Sequence, residues 1–246
     1  MVDLEKGYIS QAIFYSAHAV DNRMRYRQEE AESTFGQLFN VQSQQTNVPD
    51  DFDPAAPRLI FQAPHKQFLL SKKSTQLVLG FEGANKPISA QIDIVVDNIQ
   101  KVIKKLPLFV DCTGEVGFIL NFNFPSSESR SEMSQAVFNK FLKMPENHAV
   151  ASSSVKVGFQ TSDFLFLNLE VDVYESRRGL LQSNGLSVQN IDISTLEFHE
   201  AGYSFKVDIN NKPKIGSKLN YSEESEGVVM AMKNYMRDSF DDFVRF

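Results

Sequence analysis

Strict alternation of apolar and polar residues is the strongest pattern in this chain, and it predicts several half-buried β-strands. From Phe118 to Phe124 every second side chain is apolar, and two of the three side chains between them are asparagines. Phe164 to Tyr174 and Tyr203 to Ile209 alternate in a similar way. A period of two is typical of an antiparallel strand that packs one face on a core. We therefore interpret most of the 21 Phe residues, in a chain without Trp, as core residues.

Further strands are predicted in the first half. For Gly7 to Ala19 a strand or a short helix fits, and we favour a strand because its apolar residues form no helical stripe. Val41 to Pro57 has no periodicity and predicts an exposed acidic loop. Three short runs separated by polar turn segments then predict a meander. These runs are Arg58 to Ala63, Gln67 to Ser71 and Thr75 to Phe81.

The middle and the second half contain other strand patterns. Leu108 to Phe124 predicts one strand, or a pair broken near Thr113 and Gly114. Val155 to Phe159 precedes the long alternating run that ends at Tyr174. We expect Val188 to Phe198 and Tyr203 to Ile209 to form a hairpin that turns at His199 to Gly202.

Four segments have the periodicity of amphipathic helices. The second begins near Ile92 and ends before Pro107, with aspartates early and lysines late, as the helix dipole favours. Ser129 and Glu132 form a candidate capping box for the third, which is expected to end at Pro145. The first runs from Arg23 to Asn40, and the fourth from about Glu223 to the end of the chain.

This order of elements predicts an α+β protein, with one or two antiparallel sheets covered by amphipathic helices. Each half is expected to contain a helix, antiparallel strands and a second helix. We divide the chain into an N-terminal half, residues 1–125, and a C-terminal half, residues 126–246, and one continuous domain is the alternative. The shared order fits either an internal duplication or a coincidence that arises from the regularity of α+β folds, and the two halves show no repeat at the level of residues.

Composition narrows the class of protein. The 246 residues are 42% hydrophobic, which suffices for a large core without metals or disulfides. Cys112 is the only cysteine, as is usual in a reducing compartment, so a cytoplasmic location is expected. Residues 1–6 lack the pattern of a secretory signal, and no apolar run is long enough to span a membrane. A net charge of −6 disfavours general binding to nucleic acid.

No motif assigns catalysis, and we predict no catalytic residue, metal ligand or cofactor. The four histidines are far apart without metal-type spacing, so surface or turn positions are expected for them. Cys112 is interpreted as a buried structural thiol, with a nucleophile as the alternative. Glu170 and Asp172 lie two apart on one strand face, where a solvated face is the simpler interpretation than an acid and base pair. Glycine-rich nucleotide loops and a nucleophile elbow are not found.

Three segments are candidates for contacts with partners. The acidic loop with Asp50, Asp51 and Asp53 is one, and the end of the last helix, with Phe240, Phe243 and Phe246, is another. Docking of that helix end on the protein's own sheet is the simpler interpretation. The third segment could bind nucleic acid, although ion pairs with nearby acids are the more common use of such a cluster. It consists of Arg23, Arg25, Tyr26 and Arg27.

One stretch of the chain resembles a known family. An acidic Asp-Pro loop leads into Pro57 to Phe61, which is followed by Phe68 to Ser71 and by Leu77 to Phe81. Together these segments, within Pro49 to Glu82, resemble a sporadically distributed, uncharacterised family of bacterial proteins. The patchy distribution of that family implies horizontally moved genes, and hence an accessory role in defence systems, including antiphage defence, or in conflict systems. The resemblance supplies no catalytic residue.

Three hypotheses of function follow. The first is a cytosolic bacterial protein that binds another protein as a regulatory or accessory subunit, with homo-oligomers left open. The second is a module that binds a small ligand between a helix and a curved sheet, prompted by Phe164 and Phe166 on an otherwise polar strand face. The third is an enzyme acting on nucleic acid through Glu170 and Asp172. Whether the protein is an enzyme is left open, and we favour a binding role.

Overall fold

The computed structural model describes residues 2–142, 150–178 and 196–245. Its strands form one antiparallel sheet of nine strands in the order β2-β3-β4-β5-β1-β6-β9-β8-β7, which confirms the α+β class. The strands are β1 (Tyr8–His18), β2 (Ser43–Gln45), β3 (Pro57–Ala63), β4 (Lys66–Ser71), β5 (Ser74–Leu79), β6 (Cys112–Pro125), β7 (Val155–Gln160), β8 (Phe166–Arg178) and β9 (Glu197–Asn210).

The helices pack on one face of this sheet and form a second layer. They are α1 (Gln28–Phe39), α2 (Ile88–Lys105), α3 (Arg130–Phe141), α4 (Tyr221–Asp238) and α5 (Phe240–Val244). The Ser129 side chain accepts from the backbone N–H of Glu132 at the start of α3, and the Glu132 carboxylate accepts from the N–H of Ser129, so the predicted capping box is confirmed. Among the helices of the described residues, none is both long and apolar enough to cross a lipid bilayer.

The core lies between the two layers and is rich in aromatic side chains. On the first half of the sheet, the ring of Phe35 on α1 lies 4.8 Å from that of Phe68 on β4. On the second half, Phe122 of β6 lies 4.4 Å from Phe240 of α5. Since offset and edge-to-face ring pairs add to the burial of apolar area, these contacts hold the helices on the sheet. The interpretation of the alternating Phe residues as core is thereby confirmed for Phe118, Phe122, Phe124 and Phe205, which are fully buried.

The order strand, helix, meander, helix occurs twice. In the first unit β1 and α1 lead to the β3-β4-β5 meander and α2, and in the second β6 and α3 lead to the β7-β8-β9 meander and α4. The corresponding helices have equal lengths, 12 residues in α1 and α3 and 18 in α2 and α4. The two units share one sheet through the β1 and β6 pair, where Ile13 lies opposite Ile119.

A pseudo-two-fold axis passes between Ile13 and Ile119. Val78 of β5 pairs with Ile13, and Asp208 of β9 pairs with Ile119, so Val78 and Asp208 occupy equivalent positions. The topological units therefore begin at β1 and at β6, whereas the sequence-based division at residue 125 follows β6.

Two sequence-based assignments are wrong. β9 is one continuous strand, so there is no hairpin turn at His199 to Gly202, and residues 188–195 lie outside the described residues. At Gly202 the strand passes so close to β6 that a Cβ atom would lie 2.1 Å from the carbonyl oxygen of Phe124, which explains the glycine without a turn. The loop from Val41 to Pro57 also contains β2, which pairs with β3 although its Ser-Gln-Gln sequence is entirely polar.

Candidate functional site

The sheet face opposite the helices, called the open face here, is not covered by any described helix. Its residues are the alternate positions of each strand, and those near the centre are mostly half-buried. Nine strands at about 4.8 Å spacing make this face about 40 Å wide. The apolar and aromatic residues on it include Tyr8, Ile13, Tyr15, Ile60, Leu69, Val78, Ile119, Phe166 and Tyr174.

The first half of the open face is aliphatic and rich in amides. Cross-strand pairing places Ile60 beside Leu69, Leu69 beside Gln76 of β5, and Gln76 beside Tyr15 of β1. A second row along the same strands contains Gln62, Gln67, Val78 and Ile13. The side chains in both rows are uncharged.

The second half of the open face carries charges at equivalent positions. Lys156 pairs with Glu170, and Glu170 pairs with Lys206. The pseudo-two-fold axis relates these three residues, in this order, to Ile60, Leu69 and Gln76 of the first half. The Glu170 carboxylate lies 3.8 Å from the Lys156 ammonium and 3.9 Å from that of Lys206. The duplicated sheet thus presents a neutral half and a charged half on one surface.

A depression of about 370 Å³ lies at the centre of the open face, where Gly117 of β6 has no side chain. Gly117 pairs with Tyr15 on one side and with Asn210 on the other. A Cβ atom at position 117 would lie 3.3 Å from the Cβ of Asn210, so a larger residue would fill the floor. The lining consists of Ile13, Tyr15, Gln76, Glu115, Val116, Gly117, Ile119, Asp208, Asn210 and Lys212.

Polar groups orient the Asp208 carboxylate in this depression. Asn168 donates to one Asp208 oxygen at 3.3 Å and Asn210 to the other at 3.0 Å. Within the described residues, neither Asp208 nor Glu115 forms an ion pair. Burial, and then the nearby Glu115 charge, raise the pKa of Tyr15, so its phenol stays protonated at neutral pH.

The acidic loop and the basic cluster, proposed separately from the sequence, lie against each other. Arg25 donates to Asp50 at 3.1 Å and to the backbone carbonyls of Thr46 and Val48. The Tyr26 hydroxyl donates to the other Asp50 oxygen at 3.4 Å. The other residues of the two segments are placed differently: Arg27 bonds Asp21 and Glu30, the Asp53 carboxylate accepts from the Ala55 N–H, and Asp51 and Arg23 are exposed.

Arg58, which the sequence analysis did not single out, holds this loop from inside. Its side chain is fully buried and donates to the carbonyl oxygens of Ala56, Pro49 and Phe52. Lys72 donates to the carbonyl of Asp50 at 2.6 Å. The acidic loop is therefore an ordered structure built around a buried cation.

The end of the last helix packs on the protein's own sheet. Phe240 is 3% exposed and contacts Phe122, and Phe243 is half-buried with its ring 5.3 Å from that of Phe205. In this conformation Phe240 is core and is not accessible to a partner. Phe246 lies outside the described residues.

The residues of the second and third hypotheses lie near the charged half of the open face. Phe166 lies on this face opposite Asn210, with no described helix above it, and Phe164 is 61% exposed in the turn before β8. Glu170 is flanked by two lysines, and an Asp172 oxygen accepts from the Val173 N–H at 2.7 Å. Among the described residues, no group of three or more His, Cys, Asp or Glu is placed to hold a metal.

The expectation of surface or turn positions for the histidines is wrong for His18. His65 lies in the turn between β3 and β4 and His199 is exposed, but His18 is 3% exposed at the end of β1, and His148 lies outside the described residues. Burial lowers the pKa of His18. The neighbouring Cys112 is partly buried, and burial raises its pKa to about 12, so the thiol is a poor nucleophile, in agreement with its interpretation as structural.

Comparison of the chain with protein-family models, with curated proteins and with solved structures gave no match. The assignment of a function therefore depends on the geometry of the open face.

Proposed function

We propose that this protein binds another protein on the open face of its sheet and acts as a regulatory or accessory subunit. The observation that supports the proposal is a broad sheet face whose half-buried aliphatic and aromatic residues are covered by no described helix. Apolar surface of this kind, rimmed by polar side chains, is typical of protein interaction sites.

Charge on the open face favours a protein over a nucleic acid. On the described strands the carboxylates of this face include Glu115, Glu170, Asp172, Glu200 and Asp208, and its lysines include Lys156 and Lys206. A nucleic-acid surface requires an excess of cations. The basic cluster is occupied as well, because Arg25 and Arg27 make ion pairs with acids of the same chain. The proposal includes a cytoplasmic location. It also includes the role in bacterial defence that the resemblance implies.

A matched pair of variants tests the proposal. Ile13→Lys places a positive charge at the centre of the open face, and Met230→Lys places the same charge on α4, where Met230 is 53% exposed. Urea denaturation would first establish that both variants are folded. Tagged full-length proteins would then be crosslinked in cells of the native host, and the captured proteins would be compared. We expect one partner to be captured by the wild type and by Met230→Lys and to be lost with Ile13→Lys.

Two outcomes would overturn the proposal. One is that the wild type captures nothing after crosslinking. The other is that Ile13→Lys captures the same partner as the wild type in equal amount, because the partner would then bind elsewhere.

A further inference from the structure

The depression over Gly117 has the size of a pocket for one long side chain. Its volume of about 370 Å³ lies near the lower end of the range for ligand sites, which is about 300 to 1,000 Å³. Ile13 and Ile119 supply apolar walls, and the Tyr15 ring stands beside the gap left by Gly117. The walls therefore suit a side chain with an aliphatic stem.

The charged groups of the depression favour the binding of a cation. Glu115 and Asp208 line it together with the single cation Lys212, so the lining carries a net charge of −1. Glu170, farther along the open face, is neutralised by two lysines, but neither Glu115 nor Asp208 has such a partner among the described residues. The amides of Asn168 and Asn210 hold the Asp208 carboxylate in place without neutralising it.

Arginine matches these features better than lysine does. Its planar guanidinium can stack on an aromatic ring while it donates to carboxylates and amide oxygens, whereas an ammonium group is a compact point charge. The same chain contains such a stack, because the guanidinium of Arg27 lies 4.1 Å from the centre of the Phe109 ring. Arginine is also among the residues enriched at the centres of protein interfaces.

We infer that the depression over Gly117 binds an arginine side chain of the partner protein, with the guanidinium between Glu115 and Asp208 and its stem on Ile13 and Ile119. The inference deepens the proposed function and rests on it, since it names the chemistry that the partner brings to the open face. The net charge of −6 on the whole chain favours the approach of a basic partner.

A small probe tests the pocket without knowledge of the partner. Nα-acetyl-arginine methylamide would be titrated into the full-length protein with labelled isoleucine methyl groups, and the citrulline analogue would serve as a neutral control of similar shape. We expect saturable shifts of the Ile13 and Ile119 methyl signals with a Kd on the order of millimolar, and no such shifts with citrulline.

Charge variants sharpen the test. The double variant Glu115→Gln, Asp208→Asn should weaken binding of the arginine probe by about tenfold or more, because charge-assisted hydrogen bonds are lost. Lys212→Ala should strengthen it by about two- to fivefold, since a like charge is removed at an exposed rim. The matched control is Asp93→Asn, Glu226→Gln, which removes two exposed carboxylates from α2 and α4 and should leave binding unchanged.

The outcomes separate this inference from the proposed function. Equal shifts with arginine and citrulline, or equal weakening by both double variants, would overturn the arginine pocket. The proposed function would stand in that case as long as Ile13→Lys still loses the captured partner. If the probe binds as expected and Ile13→Lys keeps the partner, the pocket exists and the proposed function fails.

Discussion

The Arg25 guanidinium donates to the Asp50 carboxylate at 3.1 Å, and this bond joins two segments that the sequence presents as separate candidate sites. The hydrogen bond from Arg25 lowers the pKa of Asp50, so the carboxylate is ionised at neutral pH. Each segment therefore neutralises part of the charge that would otherwise attract a partner. The open face is left as the larger surface without an internal partner among the described helices.

Replacement of Arg58 should destabilise the protein. Arg58→Met removes hydrogen bonds to the carbonyls of Ala56, Pro49 and Phe52, and of these only the Pro49 carbonyl keeps another donor among the described residues, the Phe52 N–H. We expect the free energy of unfolding to fall by about 2 to 4 kcal/mol in urea denaturation. Arg25→Met, at a more exposed position, should cost less, and equal losses for the two variants would contradict this account of Arg58.

Truncation of Phe240 should show whether the end of the chain is core. Phe240→Ala removes a 3% exposed ring that contacts Phe122, so we expect a loss of about 3 to 4 kcal/mol in the free energy of unfolding. Phe164→Ala, at a 61% exposed ring, is the control and should change it by about 0.5 kcal/mol or less. A small loss for Phe240→Ala would mean that the ring is free in solution.

His18 should make stability depend on pH. Burial lowers its pKa in the folded state below the ordinary value of 6.5, so the unfolded chain binds the proton more readily. The free energy of unfolding should therefore decrease as pH falls below about 6.5, by at most about 1.4 kcal/mol per pH unit from this group. His18→Asn should lack this part of the dependence. Parallel curves for the two proteins between pH 7.5 and 5 would show that His18 does not contribute.

The thiol of Cys112 should react slowly in the folded protein. Burial raises its pKa to about 12, so the fraction of thiolate at pH 8 is very small. We expect reaction with a disulfide reagent to be at least about 100-fold slower than in the urea-unfolded chain, measured by absorbance of the released thiolate. A rate close to that of the unfolded chain would mean an activated thiol and would reopen the nucleophile hypothesis.

Alternation and capping signals predicted most of the fold because they are local. The strand from Phe118 to Phe124 and the capping box at Ser129 follow directly from residue order. β2 was missed because it has no apolar residue, and its pairing with β3 depends on tertiary contacts. The glycine at 202 suggested a turn, whereas the structure needs it for the close approach of two strands.

The candidate site was harder to predict than the fold. Alternation shows which residues share a face, but only the packing of the helices decides which face they cover. One local signal was present: Ile119 is apolar on the otherwise polar side of its strand, between Gly117 and Asn121. Ile119 pairs with Ile13 and with Asp208, and both lie far from it in the chain, so the depression cannot be predicted from the sequence.

The pairing of β1 with β6 has a mechanical consequence. The seam between the two units is a ladder of backbone hydrogen bonds, reinforced by contacts between α2 and α4, and it is not a flexible linker. The two units cannot rotate relative to each other unless the hydrogen bonds between β1 and β6 break. The open face is therefore rigid, and we expect a partner that binds there to adapt its own shape to it.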